Sequence, residues 1–182
     1  MVSTSRRDFI QSVLLSIGVA GAALPGWGAL DAAARKQPRF FDPVHFALLD
    51  AVAETIMPRT DTPGARDTMV PRRIDGLMTS WASPKTRSDF TRVLDEIEAS
   101  AKGFATLSAA KQLEVVSTYN TAKARDPGFG KLKALVFALY YLSEAGATKE
   151  LRYQHVPGAW EPSIPVTPDT RGYAVDVNFG GN

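Results

Sequence analysis

From Phe40 to Tyr140 the apolar residues of this chain recur at three- and four-residue steps, the spacing of one helix face. Asp42-Pro43 opens the first such stretch: Asp42 can cap free backbone N–H groups, and proline suits the first helical position. Phe46, Leu49, Val52 or Ala53, and Ile56 form its apolar stripe, and Pro58 ends it. The run from Pro58 to Pro71 is dense in turn formers and predicts a loop. A short helix is expected from Arg72 to Trp81, with Ile74, Leu77, Met78 and Trp81 on one face. Ser83-Pro84 starts a longer one carrying Phe90, Val93, Leu94, Ile97 and Ala101 and ending near Gly103. Ser108 opens the next, with Leu113, Val116 and Tyr119 inward and Pro127-Gly128 beyond its end. Leu132, Leu135, Val136, Leu139 and Tyr140 stripe the last, which should stop around Gly146. No alternating run of strand type has convincing length. The pattern therefore predicts an all-α fold of about five helices in one compact domain.

The two ends depart from this rhythm. Near the N-terminus an apolar stretch, Val13 to Leu24, spans twelve residues diluted by Ser16, Gly18 and Gly21. A stable membrane span needs roughly 20 apolar residues. Just before it stands Ser5-Arg6-Arg7-Asp8-Phe9-Ile10-Gln11, an arginine pair with an aromatic two positions on, and Pro25-Gly26 follows it. A basic segment, a short apolar segment and a small-residue exit are the order of a secretory signal. Arg6, Arg7 and Phe9 mark it as the twin-arginine type, which carries folded cargo through the twin-arginine translocase to the periplasm. Residues 1–34 are thus expected to be an export signal. Ala32-Ala33-Ala34 fits a cut before Arg35, and cuts after Ala29 or Ala32, or retention as an anchor, are the alternatives. A second pair, Arg72-Arg73, has no apolar run behind it and reads as solvated surface.

At the other end, Pro157, Pro162, Pro165 and Pro168 come at short intervals with Trp160, Ile164 and Tyr173 between them. Closely spaced prolines forbid a helix, while a wholly disordered tail would lack such large apolar residues. Residues 153–182 are expected to form an extended arm lying along a surface, its own or a partner's, with Tyr153 and Trp160 as anchors. The helical domain is then 35–152.

Composition narrows the chemistry. The formal net charge is +2, with basic residues spread along the chain, so there is no electrostatic footprint for nucleic acid. The chain has no cysteine, which rules out covalent c-type haem attachment and thiolate-held iron–sulfur clusters. Its two histidines, His45 and His155, are too few for a histidine-rich metal site. His45 reads as a surface or cap-region residue with no paired base nearby. Asp50 and Glu54, four apart, read as a helix's solvent face rather than an acid–base pair. Gly128-Phe129-Gly130 lacks the third glycine and preceding strand of a phosphate loop and reads as a helix–helix turn. Ser143-Glu144 reads as helix-end capping. No catalytic, cofactor-binding or metal-binding residue is assigned.

Several runs nonetheless carry a resemblance. They are Phe40-Phe41, Ile56-Met57-Pro58-Arg59-Thr60-Asp61-Thr62-Pro63-Gly64-Ala65, Val70 to Asp75, Phe137 to Leu151 around Ser143-Glu144-Ala145-Gly146-Ala147-Thr148, and Val156-Pro157-Gly158. In these the chain resembles gluconate 2-dehydrogenase subunit 3, the small subunit of flavin-dependent sugar dehydrogenases, across most of the segment after the signal. The resemblance implies a non-catalytic subunit in a two- or three-part periplasmic complex. A large FAD-binding subunit of the glucose–methanol–choline type would oxidise a sugar, sugar acid or glycoside, and a multihaem cytochrome c often takes the electrons. The small subunit would supply the export signal its catalytic partner lacks and support that partner's folding. The other reading is an independent exported helical protein, either a binding module or an unrecognised enzyme.

Overall fold

The computed structural model describes residues 39–154 and 163–175. Among them are five α-helices: α1 Pro43–Ile56, α2 Val70–Ser80, α3 Pro84–Ser100, α4 Ala109–Ala122 and α5 Pro127–Tyr141. A 3₁₀ turn, Phe104–Thr106, precedes α4, and a π turn, Gly146–Glu150, follows α5. Two short strands, β1 Arg152–Gln154 and β2 Tyr173–Val175, pair in parallel with Arg152 opposite Tyr173.

Four of the five described helices begin where a side chain takes up their free amides; α2, which starts after Met69, does not. Asp42 accepts from the N–H groups of Val44 and His45, Ser83 from Thr86, Ser108 from Lys111 and Asp126 from Phe129. Each such cap stabilises a helix by about 1 kcal/mol. Proline occupies the first turn of α1, α2, α3 and α5, where its missing N–H costs nothing.

Helix α1 contacts each of the other four helices. It therefore buries more than one stripe: Leu48, Leu49, Ala51, Val52 and Ala53 are all enclosed, and the two alanines let neighbours approach closely. Around it pack Ile74, Leu77 and Met78 of α2, Phe90, Val93, Leu94 and Ile97 of α3, and Leu132, Leu135, Val136, Leu139 and Tyr140 of α5. Each large side chain so buried contributes about 1.5–3 kcal/mol over its exposed state.

The all-α expectation holds, with three local corrections. Leu113 is exposed and Gln112 is buried in its place, its amide donating to the carbonyls of Phe104 and Ala105. The inward face of α4 is thus Gln112, Val116 and Tyr119: Val116 and Tyr119 are as expected, and Gln112 replaces Leu113 because the 3₁₀ turn offers acceptors rather than an apolar wall. Gly128-Phe129-Gly130 is not a helix–helix turn but the first turn of α5. Asp126-Pro127 is a capped start like Asp42-Pro43, and the break lies earlier, at Lys123–Arg125. Lastly, α5 ends at Tyr141, earlier than Gly146, because the chain turns at Leu142 and Ser143, where the Ser143 hydroxyl takes up the Tyr140 carbonyl; the π turn follows from Gly146.

Candidate assembly surface

The loop between α1 and α2 is exposed at its tip yet held from several sides. The Glu54 carboxylate at the end of α1 accepts from the Arg59 amide (3.1 Å) and the Arg66 amide (2.9 Å), closing the loop's two ends on one side chain. Asp67 accepts from the Gly64 amide at 2.9 Å, and Asp50 pairs with Arg66 at 2.6 Å. Asp50 and Glu54 are therefore not a bare solvent face: both hold the loop. Helix α5 reaches the loop through the Tyr140 hydroxyl, which donates to the Pro63 carbonyl, and the Thr62 hydroxyl donates to Glu150 of the π turn. Burial pushes the Tyr140 phenol up, so it stays a donor.

Beyond α5, Ser143 donates to the Tyr140 carbonyl and accepts from the Gly146 amide, which bears out its capping role. A Cβ at Gly146 would collide with the Tyr140 carbonyl oxygen, so only glycine lets the π turn fold back on the helix end. The loop and this turn face each other across a cleft of about 590 Å³, with Asp67, Met69 and Arg73 on one wall and Leu142, Glu144 and Lys149 on the other. Met69 has φ 58°, a left-handed conformation that is an outlier for so bulky a residue. Such strain persists only where the surroundings fix it, and it concentrates at functional sites. Here the Met69 amide donates to the Arg66 carbonyl and the following amide, of Val70, donates to Ala65.

The arm returns to the same region. β2 lies beside β1, the Arg152 amide donates to the Gly172 carbonyl, and Arg171 pairs with Asp61 of the loop at 2.6 Å. These contacts are backbone or polar. Among the arm's described apolar residues, Val166 stands in solvent at 85% exposed, while Ile164 (41%) and Tyr173 (48%) are half covered, the Tyr173 ring lying against the Arg152 guanidinium. Tyr153 lies in β1, exposed on the surface. Arg6, Arg7, Phe9, His155 and Trp160 lie outside the described residues.

Elsewhere two groups of charged residues tie helices together. Arg92 of α3 bonds Glu96 and, with two hydrogen bonds, Asp126 ahead of α5; Glu96 also accepts from Tyr119 of α4 and pairs with Lys123. The Arg92 guanidinium, then the Tyr119 hydroxyl, hold the Glu96 carboxyl down at about 2. His45 has both ring nitrogens on carboxylates, Nδ1 on Asp42 (2.8 Å) and Nε2 on Asp95 of α3 (3.0 Å). Asp95 lies fifty residues away, a partner that no local pattern could signal. Neither group brings a nucleophile to a base within a cavity. Among the described residues no group of three or more His, Cys, Asp or Glu side chains could hold a metal ion. No helix among them is long and apolar enough to cross a membrane.

No curated protein and no solved structure matches the chain. Residues 43–158 do match a family described as gluconate 2-dehydrogenase subunit 3, a span from the first residue of α1 past the π turn and β1. That match takes in both the loop at 58–69 and the turn at 142–150 that the fold sets face to face. The chain belongs to the gluconate 2-dehydrogenase subunit 3 family.

Proposed function

We propose that this chain is the non-catalytic small subunit of a periplasmic FAD-dependent sugar dehydrogenase, and that it exports and helps assemble the flavin subunit. The observation that carries the reading is the family match over 43–158. Residues 1–34, with Arg6, Arg7 and Phe9, act in this reading as the twin-arginine signal for both chains. Export in the folded state requires the complex to form before transport, so the small subunit needs a preformed docking surface. The loop braced by Glu54, Asp50, Asp67 and Tyr140 supplies one, and pre-organisation of that kind lowers the entropy lost on binding.

The redox groups belong to the partners. With no cysteine, this chain cannot attach c-type haem; in a complex that passes its electrons to a multihaem cytochrome c, the haem is carried by that separate subunit. FAD resides in the glucose–methanol–choline-type catalytic subunit. Tyr153 and Trp160 of the arm are the proposed partner contacts.

Replacing Arg6 and Arg7 together by lysine tests the export role. Both this chain and the flavin subunit should then remain in the cytoplasm. A flavin subunit that still reached the periplasm at its normal level would sink the escort role. Co-purification of the two unmutated chains tests the assignment to a complex separately.

A further inference from the structure

We propose that Asp42, His45 and Asp95 form a pH-sensitive clasp that fastens the first turn of α1 to α3 while the imidazole is protonated and lets go of α3 when it is not. The argument is a count of donors and acceptors. An ionised carboxylate only accepts, and a neutral imidazole carries one N–H and one bare nitrogen. His45 places both nitrogens within hydrogen-bond distance of carboxylate oxygens, 2.8 Å from Asp42 and 3.0 Å from Asp95. Two ionised carboxylates can be satisfied at once only by the imidazolium.

The surroundings favour that form. Asp42 and Asp95 are the charged groups acting on the ring, and both are negative. Phe41, stacked on the ring with centroids 6.5 Å apart, carries no charge, and its amide is held by Asp75 of α2. The Asp42 hydrogen bond does most to raise the His45 pKa; partial burial opposes it and the Asp95 bond adds to it. Loss of the proton breaks one of the two bonds. Asp42 is committed to the α1 amides through its other oxygen, whereas Asp95 has no such anchoring and is 61% exposed. The Asp95 bond therefore yields, and with it the polar tie between the first turn of α1 and α3; their apolar packing remains.

The sign follows from the raised pKa. The clasp's stabilisation is fully present below the ordinary histidine value of 6.5 and is lost as pH rises through the higher folded value. At the acid end, Asp42 is held below the ordinary 3.8 by the His45 amide and ring, so protonation there opens the clasp only in stronger acid.

Proton NMR of the full-length chain, with His155→Gln to assign the two imidazole resonances, tests this. The His45 midpoint should lie above 6.5 in the unmutated protein and move down in Asp95→Asn. The thermal midpoint of the unmutated chain, compared with that of Asp95→Asn, should lose its advantage as pH rises across the same window. A His45 midpoint at or below the ordinary value, or one unchanged in Asp95→Asn, overturns the clasp.

Discussion

The Tyr140 hydroxyl donates to the Pro63 carbonyl at 2.7 Å, joining residues 77 positions apart in sequence. One ring thus fills the core, where Tyr140 is 1% exposed, while its polar tip fixes the loop that faces the cleft. Core packing and loop placement are coupled through this side chain.

Tyr140→Phe keeps the ring and removes the donor. A hydrogen bond of this kind contributes about 0.5–1.5 kcal/mol net. The variant should melt a few degrees lower with its helical circular dichroism unchanged, and its loop amides should exchange faster. Unaltered exchange at Gly64 to Met69 would show that the loop is held without the hydroxyl.

Gly64 makes a sharper case. A Cβ there would sit 2.5 Å from the Glu54 carboxylate and 2.7 Å from the Arg59 amide nitrogen. The carboxylate can move only by giving up the two amides it accepts from, one of them the Arg59 amide itself, so relieving either contact costs a loop hydrogen bond. Gly64→Ala should cost about 1–3 kcal/mol. Gly76, inside α2 with open space around its missing Cβ, gives the opposite sign. Gly76→Ala should stabilise by about 0.4–1 kcal/mol through reduced unfolded-state entropy. Denaturant midpoints of the two variants, one lower and one higher than the parent, check the pair.

How much of this was legible in the sequence depends on the range of each interaction. Caps act within three residues, so Asp42, Ser83 and Ser108 could be placed from local pattern. Asp126 escaped because Pro127-Gly128 also looks like the end of the helix before it. The stripes of α3 and α5 face one apolar wall and could be phased, whereas α4 turns a polar residue, Gln112, inward to carbonyls. Loop composition signalled turns between Pro58 and Pro71. It did not signal that Glu54, Asp50, Tyr140 and Glu150 converge on them, because those partners come from other elements. The three-residue strands are too short to show alternation.

The Arg92–Glu96–Asp126 network predicts a pH dependence. Glu96 is depressed to about 2, so its contribution is present above the ordinary value of 4.5 and is lost as pH falls toward 2. Asp126 adds to this in the same direction: burial works against it, but the Phe129 amide and Arg92 outweigh that and hold its carboxyl low. The thermal midpoint of the parent should exceed that of Glu96→Gln above 4.5, and the gap should close on acidification. A gap independent of pH would mean that the substitution acts through packing.

The arm can be separated from the body by truncation after Leu151. Among the described residues, the buried apolar side chains of the core lie between Phe41 and Tyr140, so the helices should keep a cooperative melt without the arm. Among the described residues the cut removes the β1–β2 pairing, the Arg171–Asp61 bond, and apolar side chains that are half exposed (Ile164, Tyr173) or exposed (Val166). The described arm thus lies on its own chain by backbone and ion pair, yet leaves Val166 and about half of Ile164 and Tyr173 uncovered. Burial of Val166 or Tyr173 against a second chain would contribute about 1.5–3 kcal/mol for each side chain fully enclosed. The truncated chain should therefore fold but, if the proposed complex is right, fail to co-purify with its flavin subunit. Loss of the cooperative melt would make the arm a structural element of this chain, and undiminished co-purification would place the docking surface on the braced loop and cleft alone.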